Sequence, residues 1–259
     1  MNGAESLVRT LHAAGVEVCF ANPGTSEMMF VEALDRTGLI RCVLALFEGV
    51  ATGAADGYAR MAGKPAATLL HLAPGFANGA ANLHNARKAR SPVVNLVGDH
   101  ALRHLAYDAP LTADVAAAVA PFSDWARTAR TAAGIARDAA EAVAAAMAWP
   151  GGVATLIAPG CAGWDEGGAT AAPLSPPGPA PRDPDAVTAA AAALGPDCLL
   201  YIGGSVLADP GALALAAGLA AATGAAVMAP TSNNRVDRGA GVAALERIPN
   251  PVDMALARL

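Results

Sequence analysis

The 259-residue sequence predicts an α/β protein: a parallel sheet with helices on both faces, followed by an incomplete Rossmann-like α/β domain. Three observations predict it. Short apolar runs alternate with stretches of helical period along residues 1–165, the pattern of a parallel sheet joined by crossover helices. A stretch rich in proline, glycine and alanine follows at residues 166–184. A second α/β pattern then begins and occupies residues 185–259.

Taken in order, Ala4 to Ala14 reads as helix, Val16 to Ala21 as strand and Ser26 to Leu34 as helix. Ile40 to Phe47 is extended, and Gly49 to Met61 is helical because Ala51, Ala54, Ala55 and Tyr58 recur at helical spacing. Ala66 to Leu72 is extended, Gly75 to Ala89 helical and Val93 to Val97 extended. Beyond Asp114 to Phe122, the alanine-rich Ala126 to Met147 reads as one long helix, and Gly152 to Ile157 as a last buried strand. Pro173, Pro176, Pro177, Pro179, Pro181 and Pro184 are spaced too closely for helix or central strand, which makes this segment a fairly stiff linker. After it come a helix over Asp185 to Leu194, a strand over Cys198 to Gly203, a helix over Pro210 to Thr223 and a strand over Ala225 to Ala229. Two evident strands are fewer than a parallel sheet usually has, so this domain reads as partial.

Composition narrows the function. Hydrophobic residues make up 54% and charged residues 15%, but no segment approaches the ~20 uninterrupted apolar residues of a membrane helix. The alanine excess suits tightly packed helices and a large subunit interface. A net charge of −5 without a basic cluster argues against nucleic acid, whose binding rests on phosphate neutralisation. The start, Met1-Asn-Gly-Ala-Glu-Ser6, lacks the features of an export signal, and a cytoplasmic location is expected. Cys19, Cys42, Cys161 and Cys198 are far apart and show no ligand spacing; they read as buried free thiols in a reducing compartment. The five histidines show no HExxH pattern, and only His100 and His104 share a one-turn spacing. No phosphate-binding glycine signature and no GxSxG elbow are present.

What chemistry the chain offers gathers at strand ends, the edge where ligands bind in open α/β sheets. Glu48 is a lone carboxylate between the apolar Cys42-Val-Leu-Ala-Leu-Phe47 and the small-residue stretch Gly49 to Ala62. It reads either as a site acid tuned by desolvation or as an acid favoured by a helix N-terminus. Pro23 and Gly24, in Ala21-Asn-Pro-Gly-Thr-Ser-Glu27, make a tight turn after a strand, where Thr25 or Ser26 can cap the next helix. A turn of the same design, Ala73-Pro-Gly75-Phe-Ala-Asn78, follows the strand that ends with His71. That histidine is either a satisfied core residue or part of the site. In the second domain Gly203-Gly204-Ser205 could open a flavin or nucleotide site or simply end a strand.

Three segments in this order resemble one family. They are Asn22-Pro-Gly-Thr-Ser-Glu27; Phe47-Glu48 with Ala54-Ala-Asp-Gly-Tyr-Ala-Arg60; and Leu72-Ala-Pro-Gly-Phe-Ala-Asn78 with Leu83 and Ala86. The set resembles the thiamine diphosphate-dependent 2-keto acid decarboxylase and acetohydroxyacid synthase superfamily, nearest to benzoylformate decarboxylases and acetolactate synthase large subunit-like members. Residues 1–165 are similar to its N-terminal pyrimidine-binding domain and residues 185–259 to the start of its middle domain.

The resemblance implies that Glu48 hydrogen-bonds the aminopyrimidine ring nitrogen of thiamine diphosphate and helps activate the cofactor. It implies that His71 orients a 2-keto acid and relays protons, and that Thr25, with Ser26, contacts substrate. Pro23, Gly24, Gly75 and Asn78 would line the pyrimidine side. Two departures matter. Gly98-Asp-His100 replaces the Gln-Val-Pro-Arg-like segment of true synthases. The Gly-Asp-Gly...Asn motif by which the family holds diphosphate and Mg2+ is absent, and the chain is about half the family's length. The implied protein is therefore the N-terminal part of a decarboxylase or carboligase, inactive alone. It would act as a homodimer or homotetramer, or with a complementing diphosphate-domain subunit. The alternative is a non-catalytic dimerising or binding domain of the same fold.

Overall fold

A computed structural model describes residues 1–233 and 235–257. The chain divides into two compact units, Met1–Gly178 and Pro179–Leu259.

In the first unit, helix α1 (Gly3–Ala13) starts at Asn2, whose side chain accepts the Glu5 N–H. Strand β1 (Val18–Asn22) leads through a 3-10 turn, Thr25–Glu27, to α2 (Met28–Thr37). Next come β2 (Arg41–Leu44), α3 (Glu48–Ala62), β3 (Ala66–Leu70), α4 (Leu72–Lys88) and β4 (Val93–Asp99). A 3-10 turn, Leu102–Tyr107, precedes α5 (Val115–Val119), and β5 (Trp125–Thr128), α6 (Ala132–Met147), β6 (Val153–Pro159) and α7 (Gly160–Trp164) complete the unit. The six strands form one sheet in the order β2-β1-β3-β4-β6-β5, every pair parallel. All six C-terminal ends therefore point to the same edge. Helices cover both faces, as the alternating pattern predicts. Leu7, Met29, Phe30 and Ile135 fill the core on one side of the sheet, and Ala55, Phe76, Leu83 and Val119 fill the core on the other.

Register is fixed by a buried polar thread across the middle of the sheet. Thr68, Asn95 and Thr155 are register partners on β3, β4 and β6. Thr68 Oγ1 donates to Asn95 Oδ1 (2.7 Å), Asn95 Nδ2 donates to Thr155 Oγ1 (3.1 Å), and Thr155 also pairs with Ser123 (2.7 Å). Sliding any of these strands would strand buried polar atoms.

Four expectations change. The helix expected over Ala126 to Met147 begins only at Ala132, because Trp125–Thr128 pairs with β6 as the sheet's edge strand. Thr131 marks the true start: its hydroxyl accepts the Gly134 N–H. The first unit extends past residue 165, since Gly168 N–H donates to Met1 O and Ala171 N–H to Thr10 Oγ1. Neither Thr25 nor Ser26 caps a helix; instead the carboxylate of Glu27 reaches back to accept the Gly24 N–H (2.7 Å) and closes the turn. Only Cys19 of the four cysteines is buried, whereas Cys42 is exposed and Cys161 and Cys198 are half-buried.

The second unit contains α8 (Pro184–Ala193), β7 (Leu199–Tyr201), α9 (Pro210–Thr223), β8 (Ala226–Ala229), β9 (Glu246–Arg247) and α10 (Val252–Leu256). Its sheet has three parallel strands in the order β7-β8-β9. The third strand is only two residues long and both are charged, so no apolar run betrays it in the sequence. Gly203 and Gly204 sit in the turn after β7, with Gly204 in the left-handed region. No helix among the described residues is long and apolar enough to cross a membrane.

Candidate functional site

Strands β2, β1 and β3 are neighbours, and the segments leaving their C-terminal ends carry Pro23, Gly24, Thr25, Ser26, Glu48, His71, Gly75 and Asn78. The end of β1 is tied to the end of β2 by Asn22 Nδ2, which donates to Ala45 O (2.7 Å). Pro23 and Gly24 follow, both half-buried. A Cβ at Gly24 would lie 2.3 Å from the His71 ring, so only glycine lets that ring pack over the turn.

Glu48 is the first residue of α3, after an extended Phe47, and is 9% exposed. The helix dipole favours a carboxylate there. Yet the side chain does not cap its own helix: Oε2 accepts a hydrogen bond from Asn78 Nδ2 on α4 (3.1 Å). Gly75 lies between Glu48 and His71. A Cβ there would be 3.2 Å from Glu48 Oε1 and 3.3 Å from His71 Cβ. The two candidate proton-handling side chains therefore flank one bare stretch of backbone. Gly75 itself is buried and its N–H donates to His71 O (2.7 Å).

His71 ends the β3 segment and is the residue before α4. Leu72, fully buried, takes φ +45°, which turns the chain sharply from strand into helix at this point. A left-handed non-glycine residue costs about 1–3 kcal/mol and persists only where its surroundings enforce it. The His71 ring is fixed by Glu27: Nδ1 pairs with Glu27 Oε2 at 2.7 Å. With an ionised Glu27, Nδ1 carries the proton and Nε2 is left as the ring nitrogen that can exchange a proton with a ligand.

Glu27 is the residue that the sequence reading missed. Its side chain is fully buried, Oε2 receives both the Gly24 N–H and His71, and Oε1 accepts no hydrogen bond among the described residues. A Cβ at Gly98 on β4 would sit 1.6 Å from Oε1, so the glycine makes room for the carboxylate. One signal was legible: a glutamate three residues after a turn glycine has the spacing of a capping box. Its contact with His71, distant in sequence, was not.

Thr25 is exposed and Ser26 half-buried. Ser26 borders a separate cleft of about 220 Å³ at the same sheet edge, whose wall includes Asp99, His100, His104 and Cys161. Burial pushes the Asp99 carboxyl above its ordinary range, partly offset by the His100 N–H that it accepts (2.8 Å). Among the described residues no three His, Cys, Asp or Glu side chains come together to hold a metal ion.

This geometry meets known proteins at one place. Residues 1–118, within the first unit, match the family described as "Thiamine pyrophosphate enzyme, N-terminal TPP binding domain". The particular relatives follow from the whole chain. It is 49% identical, over its full length, to IlvX of Mycobacterium tuberculosis, named as a candidate acetolactate synthase large subunit, and covers 50% of that protein. A benzoylformate decarboxylase of Pseudomonas aeruginosa is 34% identical over 112 residues, 40% of this chain and 21% of the enzyme. A solved structure of a candidate thiamin diphosphate-dependent enzyme from Mycobacterium smegmatis superposes with TM-score 0.77 at 25% identity, covering 91% of this chain and 46% of that one. The chain thus spans half or less of the length of these relatives. The family and fold that the sequence resemblance implies both hold.

Proposed function

We propose that this chain supplies the pyrimidine-side half of a thiamine diphosphate site that acts on 2-keto acids by decarboxylation or carboligation. The observation that carries the reading is the convergence of Glu48 and His71 on Gly75. The glycines at 24 and 75 let the His71 ring and the Glu48 carboxylate come close to the same strand ends, and the Glu48 carboxylate is suited to a ring nitrogen of a planar heterocycle. When bound, thiamine diphosphate supplies the electron sink for the bond next to the keto carbon.

The protein's own part is to hold and move protons. Glu48, steadied by Asn78, holds a proton against the pyrimidine nitrogen. His71, held by Glu27, orients the keto acid and exchanges a proton through Nε2. Pro23, Gly24, Gly75 and Asn78 line the cofactor side, and Thr25 and Ser26 the substrate side. Diphosphate and Mg2+ would be held by a domain outside this chain, in a second subunit or in a longer form of the protein, and the complex would work in the cytoplasm. Partner formation is supported by the apolar rim around Glu48: Leu46 is 94% exposed, with Leu44, Phe47 and Val50 also exposed beside it. The same rim suits the second reading, a non-catalytic dimerising domain of this fold.

Calorimetry separates the two. With thiamine diphosphate and Mg2+, in the presence of a diphosphate-domain subunit, the proposal expects binding heat and keto acid turnover. A well-folded Glu48→Gln variant is expected to lose about 10²–10⁴-fold in turnover, the range of a general acid–base group. Turnover unchanged in that variant rejects the role of Glu48; absence of cofactor heat in the assembled complex favours the non-catalytic reading.

A further inference from the structure

Cys19 and Cys42 are register partners on the parallel neighbours β1 and β2. Their side chains therefore leave the same face of the sheet, on strands about 4.8 Å apart. That spacing lies within the ~4.4–6.8 Å Cα separation that a disulfide spans. Both thiols are free; Cys19 is 1% exposed in the core, whereas Cys42 is exposed on the outermost strand. The Cys19 thiol beside it brings the Cys42 thiol down to about 7. The same pairing, and then burial, drives Cys19 the opposite way. The outer sulfur is thus the nucleophile and the inner one is protected.

We propose that Cys19 and Cys42 form a reversible thiol pair, oxidised by hydroperoxides to an inter-strand disulfide, with Cys42 as the attacking and Cys19 as the resolving residue. The Cys42 thiolate attacks one peroxide oxygen; the O–O bond breaks, leaving Cys42 sulfenic acid and hydroxide, which takes up a proton. The Cys19 sulfur then attacks the Cys42 sulfur as the S–OH bond breaks, and the Cys19 proton leaves with that hydroxyl as a second water. Two thiols and one hydrogen peroxide give one disulfide and two waters. β2 runs directly into Ala45-Leu-Phe47 and Glu48, so the bridge would tether the strand that delivers Glu48.

The test uses the full chain with hydrogen peroxide, followed by non-reducing peptide mapping. The expected result is a Cys19–Cys42 linked peptide within one chain, lost on dithiothreitol treatment. In a folded Cys19→Ala variant, Cys42 sulfenic acid should persist and be trapped by dimedone. The exposed-site variant Cys42→Ser should leave Cys19 unmodified at the same peroxide dose, a readout that stands even if Cys19→Ala fails to fold. A wild-type protein in which Cys42 accumulates as a dimedone adduct with Cys19 still reduced, or whose only disulfides join two chains, overturns the proposal.

Discussion

At Gly98 an added methyl carbon would sit 1.6 Å from Glu27 Oε1, and β4 backbone cannot yield that much without leaving its ladder. Gly98→Ala is therefore expected to displace Glu27 and lower stability by about 1–3 kcal/mol, the usual cost of overpacking. Denaturant unfolding checks it, and unchanged stability would mean that Glu27 has room to move. Asp99, next in the chain, gives a pH signature. Burial raises its folded pKa above the ordinary value, so the ionised form is the disfavoured one. Its favourable contribution is complete below the ordinary aspartate range and is lost as pH rises through the folded value. Asp99→Asn should consequently melt higher than wild type at neutral pH, with the gap closing as the solution is acidified below the ordinary range. A gap independent of pH would assign the effect to packing. The glycines and Glu48 were legible as sequence, because turn chemistry and a lone acid in apolar surroundings are local. Glu27 was not, because its role depends on His71 and Gly98, which only the fold brings to it.

The elements divide along the same line. Helices α3 and α4 announce themselves by small residues at helical spacing, and their close approach explains those residues: a Cβ at Gly79 would lie 2.8 Å from Thr52. The conspicuous Asp56 and Arg60 of α3 turn out to be structural. Arg60 binds Asp56 through two nitrogens at 2.7 and 2.6 Å, and Ser91 Oγ donates to the same carboxylate at 2.5 Å, fastening the end of α3 to the loop before β4. Strand β5 was hidden because it is an edge strand with Arg127 facing out; that guanidinium lies 5.1 Å from the centre of the Trp125 ring and pairs with Asp138 and Glu141 of α6. Nothing in Trp125-Ala-Arg-Thr128 shows two-residue hydrophobic alternation. The polar thread through the sheet yields the prediction at this scale. Asn95→Ala leaves Thr68 and Thr155 short of a partner and should cost about 1–3 kcal/mol, the penalty for buried polar groups left unpaired. Equilibrium unfolding of the variant, with a thermal melt as a second probe, measures it.

For the whole molecule, the boundary near Gly178 predicts a proteolytic outcome. Residues 172–183 are exposed along their length, and the backbone hydrogen bonds that hold the preceding segment end at Pro177 O, which accepts the Trp149 N–H. Brief protease treatment should therefore release a stable N-terminal fragment ending between residues 172 and 184. First cuts within β1 to β6 would contradict the division. The sequence by itself determined the fold class, the order of most helices and strands, the linker and the strand ends where Glu48, His71, Gly24 and Gly75 lie, since periodicity, proline spacing and turn residues are local properties of the chain. Tertiary structure alone decided that Glu48 and His71 share one glycine, that Glu27 fixes the histidine, and that Cys19 faces Cys42. Those contacts join residues far apart in sequence, and they exist only because parallel pairing in the order β2-β1-β3-β4 sets these strand ends side by side.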